Sequence, residues 1–142
     1  MLIEWSFGSD QFIKHFKGLL FIDTPGHRAF TTLRARGGAL ADLAVLVVDV
    51  NEGFQPQTIE AVEILKRFKT PFIVAANKID KVTGWNPQSG QPFISSYPKQ
   101  AEHAKTQLDE KIYVLIGKLY EMGFSSDRYD RVRDFQRNIG VV

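Results

Sequence analysis

There is no cysteine among the 142 residues, so thiol catalysis, thiolate metal sites and disulfides are excluded. That fits a reducing compartment. An excess of charge of one sign is also missing. Eighteen Lys and Arg face sixteen Asp and Glu, a net +2, too balanced for charge alone to argue for nucleic acid or lipid. Long hydrophobic runs are absent as well. The longest, Leu43 to Val50, contains Asp49 and falls far short of the roughly 20 residues a membrane helix needs. Glu4 comes early, and no basic start followed by an apolar stretch marks a secretory leader. What is present is the ordinary balance of one globular domain, 44% apolar and 24% charged. A chain this long buries around two-thirds of its unfolded surface and needs no staples. The expectation is a soluble, cytoplasmic, single domain with no membrane partner and no direct DNA binding.

Three segments read as buried parallel strands: Leu19-Leu20-Phe21-Ile22, Leu43 to Val48, and Phe72-Ile73-Val74-Ala75-Ala76. Each is continuously apolar, as expected where helices cover both faces of a sheet. Phe30, Leu33, Gly37 and Leu40 form a helical stripe, with Gly37-Gly38 weakening that helix by roughly 1 kcal/mol per glycine. A second helix starts near Pro56 and carries Ile59, Val62, Leu65 and Phe68. Trp85 to Pro98 reads as a loop. The longest helix runs from about Lys99 to Met122 with Ala101, Ala104, Leu108, Ile112, Leu115, Leu119 and Met122 on one face, and Gly123 closes it. Met1 to Phe7 alternates as a half-buried strand, Asp10 caps a short helix, and Ile139 to Val142 begins a strand. Strands alternating with helices predict an α/β fold: a doubly wound, mostly parallel sheet with flanking helices and right-handed crossovers.

In such sheets ligands bind beyond the carboxyl ends of the strands. Those ends are followed by Asp23-Thr24-Pro25-Gly26-His27, by Asp49-Val50-Asn51-Glu52-Gly53, and by Asn77-Lys78-Ile79-Asp80. The middle cluster reads as caps and turns, with Gly53 and Pro56 as punctuation. The third suits guanine. A carboxylate at Asp80 accepts the two adjacent donors on guanine's pairing edge, a pair that adenine lacks, and this supports discrimination of roughly 10⁴. The Asn77 amide supplies a donor and an acceptor, and Lys78 can lay its methylenes over the base. In the first cluster, Asp23 can hold magnesium through water, Gly26 lets a backbone N–H approach a terminal phosphate, and His27 can orient an attacking water.

The stretches Phe21 to His27, Ala29 to Leu33, Arg36 to Ala39, Ala41 to Val50, Asn51 to Thr58 and Thr70 to Asp80, with Gly84-Trp85 beyond, resemble the translational GTPases. Within them the sequence is similar to the translation initiation factor 2/5B family, nearer its archaeal and eukaryotic branch. The similarity covers roughly residues 18 to 142 and is highly specific through Trp85. The resemblance implies that Asp23 assists magnesium, Gly26 senses the γ-phosphate and His27 positions the hydrolytic water. Asn77, Lys78 and Asp80 would bind the guanine of GTP or GDP, and the segment from Gly26 to about Gly38 would be a mobile switch. It further implies GTP-dependent joining of ribosomal subunits, with initiator tRNA recognised by other domains. Arg28 departs from the acidic residue expected after the His.

Other family elements are missing from this sequence. No Gly is followed five residues later by Gly-Lys, so the phosphate cradle Gly-x-x-x-x-Gly-Lys-Ser/Thr is absent. Residues 1–17 are atypical and offer no first-switch Thr, and the last guanine loop, a Ser-Ala turn, is not present. The expectation is a single partial GTP-binding domain over residues 1–142, P-loop GTPase-like but without the phosphate-loop strand. Three readings follow: a piece of an initiation-factor GTPase, a non-catalytic binding module that kept the scaffold, or an enzyme with a different phosphate site. In the family's sheet the missing strand lies between the first and second strands named above. Both would then expose unpaired edges, with Met1 to Phe7 either filling that gap or pairing at an edge, and its alternation favours the edge.

Overall fold

The computed structural model describes residues 20–24, 31–134 and 138–141. The strand expected over Met1 to Phe7 and the short helix expected after Asp10 lie outside the described residues. The chain runs α1 (Thr31–Leu40), β1 (Ala44–Asp49), α2 (Pro56–Phe68), β2 (Phe72–Asn77), α3 (Phe93–Ser96), α4 (Glu102–Glu121), β3 (Ser126–Arg128) and β4 (Ile139–Val141). β1 and β2 pair in parallel from Ala44 opposite Phe72 to Asp49 opposite Asn77. β4 joins the other side of β2, and β3 lies outside β4, both in parallel, so the order is β1-β2-β4-β3.

Alternation along the strands decides where the core lies. Ala44, Leu46 and Val48 of β1 share a face with Phe72, Val74 and Ala76 of β2, by their register. That face packs against Val62 and Leu65 of α2 and against Leu108, Ile112, Leu115 and Leu119 of α4. The α4 residues recur at the three- and four-residue spacing of one helical face, as read from the sequence. Ala101 and Met122 flank this stripe: Ala101 is the exposed residue before the helix and Met122 is half-buried. Gly123, at φ +88°, lets the backbone turn away after the last turn. α2 begins at Pro56 as expected, and its stripe is buried at Val62 and Leu65, whereas Phe68 emerges.

The structure corrects the sequence reading at three places. Residues 20–24 form no strand, and Leu20, Phe21 and Ile22 are 87%, 61% and 49% exposed. A strand exists only against a hydrogen-bonding partner, and among the described residues nothing pairs with this segment. Among the described residues β1 is the last strand of the sheet, and Val45 and Val47, on the face opposite the core, are 54% and 60% exposed.

The α1 stripe is the second correction. Leu40 points to solvent, and among the described side chains of α1 the buried positions are Arg34, Gly37 and Gly38; Phe30 and the Leu33 side chain of that stripe lie outside the described residues. A Cβ on Gly38 would stand 3.0 Å from Ile64 Cγ2, and one on Gly37 would stand 2.8 Å from Thr24 Cγ2. The glycine pair is therefore where α1 approaches α2 and the 20–24 segment, in addition to lowering helix propensity. Thr70 Oγ1 donates to the Gly38 carbonyl at 2.6 Å, and Arg34 pairs with Glu60 at 2.6 Å.

Third, the segment read as a loop over Trp85 to Pro98 is folded, with α3 followed by a 3₁₀ turn at Tyr97–Lys99. Its Pro and Gly residues keep their turn roles, Gly90 at φ +73° in the preceding turn and Pro92 and Pro98 at the helix starts, and tertiary contacts order the segment around them. Phe93 stacks on Trp85 and packs against Tyr97. Gln100 closes the segment, accepting the Asn86 N–H at 2.8 Å and donating to the Asn86 carbonyl at 2.9 Å. Buried Arg128 lies over the Tyr97 ring, 4.4 Å from its centroid, and forks onto both oxygens of Asp130. Its third bond reaches Asp109 on α4, which also accepts the Tyr97 hydroxyl.

Leu108 is fully buried at the centre of α4, whereas Val114 on the same helix is 68% exposed. Leu108→Ala is expected to destabilise the chain by about 2–5 kcal/mol in urea denaturation. Val114→Ala should stay within about 0.5 kcal/mol of the parent chain. Equal effects would contradict this placement of the core.

Candidate nucleotide site

Two of the three polar clusters meet because β1 and β2 are parallel and end together. Asp49 is the last residue of β1 and Asn77 the last of β2, directly opposite each other. One more backbone bond continues the ladder, Val50 N–H to the Asn77 carbonyl at 3.0 Å. Beyond Asn77 the chain turns sharply. Lys78 has φ +62°, the left-handed region, and Ile79–Lys81 form a 3₁₀ turn. The Asn77 side chain accepts the Lys78 N–H at 2.9 Å, which holds the turn locally. Asp80 stands exposed in this turn.

The neighbouring β1 loop grips the same turn. Asp49 Oδ2 pairs with Lys78 Nζ at 2.9 Å, while Asp49 Oδ1 accepts the Asn51 N–H at 2.9 Å. The Asn51 amide then donates to the Lys78 carbonyl at 3.3 Å. Gly53, at φ +69°, sends its N–H back to the Asp49 carbonyl at 2.8 Å. The middle cluster is thus a turn, as read from the sequence, and also the support of the Asn77 to Asp80 loop. Sequence reasoning missed that second role of Asp49 and Asn51. The available signal was two polar residues at the end of one predicted strand beside a polar loop at the end of the next.

These contacts set the electrostatics. The Lys78 ammonium and the Asn51 N–H pull the Asp49 carboxyl down to about 2. Asp49 in turn raises the Lys78 ammonium above its ordinary value, with Glu52 and Asp80 adding weaker attraction.

Asp23 is exposed within the 20–24 segment, and among the described residues no hydrogen bond or ion pair links it to the Asn77 to Asp80 loop. Gly26 and His27 lie outside the described residues. Among those described, no three His, Cys, Asp or Glu side chains converge as a ready-made metal cage.

A parallel α/β sheet whose strand ends carry Asn77-Lys78-Ile79-Asp80, with an Asp-Thr-Pro-Gly-His segment upstream, defines a GTP-binding type of domain. Residues 5–135 match the elongation factor Tu GTP-binding domain, and the chain belongs to that family, in its translation initiation factor 2/5B branch. It is 70% identical over 125 residues to a "Probable translation initiation factor IF-2" of Methanococcoides burtonii, covering 88% of this chain and 21% of that one. A protein of the same description from Thermococcus kodakarensis is 64% identical over 88% of this chain and 11% of its own length. Among solved structures, GDP-bound aIF5B from Aeropyrum pernix superposes with a TM-score of 0.78 at 50% identity, over 88% of this chain and 21% of that one. The chain therefore spans about a fifth or less of the relatives it matches, as a partial GTP-binding domain.

The Asp49–Lys78 contact has a pH signature. A carboxyl lowered in the folded state stabilises that state above its unfolded value of about 3.9. The contribution is lost as pH falls through the folded value of about 2. A carboxyl ¹³C titration of Asp49 is expected to show a midpoint near 2. A midpoint in the ordinary carboxylate range would mean that the pair does not form in solution.

Proposed function

We propose that this chain carries the base-recognition half of a GTP-binding domain that serves translation initiation, binding and hydrolysing GTP during ribosomal subunit joining. The observation that carries the reading is the Asn77 to Asp80 loop. It is held at the carboxyl end of the parallel ladder with Asp80 exposed beside a fixed Lys78. Asp80 accepts the ring N–H and the exocyclic amine of guanine. Adenine would leave that acceptor unsatisfied. Lys78 offers its methylenes to the base, and Asn77 couples the loop to its surroundings.

Asp23 is a hard, exposed oxygen donor, which suits a magnesium ion held mainly by phosphates and water. Bound with GTP, that ion would neutralise phosphate charge. Gly26 and His27 take their parts from the resemblance: Gly26 brings a backbone N–H to the γ-phosphate, and His27 orients the water. Ribosome and initiator tRNA are partners of the full-length factor, in the cytoplasm. No described helix is long and apolar enough to cross a membrane.

For these 142 residues on their own, a second reading is a non-catalytic module that keeps the scaffold. The lack of any Gly-x-x-x-x-Gly-Lys favours it. Phosphoryl transfer depends on positioning and electrostatic stabilisation, and the main positioning loop is not in this sequence.

Three measurements test these readings. GTP turnover by the purified chain with magnesium should stay at background; turnover that His27→Ala abolishes would overturn the module reading. Calorimetry with GDP and magnesium should give binding no tighter than millimolar, about 4 kcal/mol. Amide NMR with GMP and AMP well above millimolar should then show shifts at Asn77 to Lys81 for GMP alone, lost in Asp80→Asn. Equal shifts from both nucleotides would sink the guanine assignment.

A further inference from the structure

We infer that Asp49 is the positioning residue of the base loop, holding Lys78 away from Asp80 so that the Asp80 carboxylate stays free for a guanine base. This rests on the guanine reading above and adds a residue that the reading does not use. The lysine ammonium sits among three carboxylates, Asp49, Glu52 and Asp80. Its hydrogen-bonded ion pair is with Asp49, at 2.9 Å. Asp80 lies two residues from Lys78 in the same tight turn, and it acts on the ammonium only at longer range.

Without Asp49, the ammonium would be left between Glu52 and Asp80, and of these only Asp80 shares its tight turn, so that part of it would pair with Asp80. That pairing would occupy the oxygens that must accept from guanine, and a base would have to displace it. With Asp49 present, the ammonium is drawn toward the β1 loop. The stem is then ordered before any ligand arrives, so its rotamer freedom is not lost on binding. The same carboxylate fixes the Asn51 N–H, and the Asn51 amide holds the Lys78 carbonyl, so backbone and side chain of Lys78 are fixed from one point.

Asp49→Asn keeps the shape and an oxygen for the Asn51 N–H while removing the charge that holds the ammonium. In amide NMR titrations of the full chain, it is expected to weaken GMP binding about two- to tenfold, the range for losing one ordered flexible side chain. It should also narrow the preference for GMP over AMP. Adding Lys78→Met to Asp49→Asn removes the competing ammonium, so the preference for GMP should return. A merely structural Asp49 would show no such recovery.

Wild-type chain that does not prefer GMP would overturn the guanine reading, and this inference with it. Wild-type preference left intact in Asp49→Asn, or not recovered in the double variant, would overturn the inference alone. Should Asp49→Asn fail to fold, Lys78→Met in an otherwise intact sequence decides the matter. The Asp49 carboxyl should then rise from about 2 toward the ordinary range, and an unmoved midpoint would overturn the inference.

Discussion

The in-register pairing of β1 with β2 is the constraint from which both the core and the site follow. Parallel strands that start together at Ala44 and Phe72 also end together at Asp49 and Asn77. The same register puts Val48 and Val74 on the face that α2 and α4 cover. Because side chains alternate strictly along a strand, a slip of one residue would turn the core face outward. It would also move Asp49 out of line with the turn after Asn77. Burial of the apolar face and assembly of the polar loop are therefore not independent. The hydrophobic term holds the register, and the register brings a carboxylate to the lysine of the neighbouring loop.

The glycine and proline residues show why local propensity is a poor guide to their work here. Gly37 and Gly38 lower helix propensity, and the same missing side chains let α1 approach Thr24 and Ile64 closely. The Pro- and Gly-rich stretch after Trp85 is held by Phe93, Tyr97, Gln100 and Arg128. Arg128 is well placed for this, because its planar head stacks on an aromatic ring while its fork satisfies two carboxylates. Asp130 accepts that fork, and the neighbouring guanidinium holds its carboxyl below the usual range.

Much of this was legible in the sequence, where periodicity carried the information. β1, β2, α2 and α4 follow from apolar runs and helical spacing, and Gly123 marks the end of α4 as a terminator should. The three-residue strand Ser126–Arg128 was not legible, since a polar Ser-Asp-Arg stretch has no period to detect. Leu19 to Ile22 had the composition of a strand, but composition cannot supply the neighbour that a strand must pair with. The Asn77 to Asp80 loop was legible as a motif because its chemistry resides in its own residue types. Asp49 was not, because its role exists only through a lysine 29 positions away, made adjacent by the ladder.

That difference bears on how such a domain divides its work. The base loop is supported by elements inside the described residues: two paired strands, a turn at Gly53 and an ion pair across the loops. Asp23 instead lies in a segment that has no strand partner among the described residues, and it is exposed. Recognition of a base needs a few fixed donors and acceptors, and a preorganised loop can provide them. Phosphate chemistry needs several groups held around one oxygen atom, and a single exposed carboxylate cannot supply that arrangement. The proposed site is thus uneven: the part set by strand register is held in place, and Asp23 lies in a segment that pairs with no strand among the described residues.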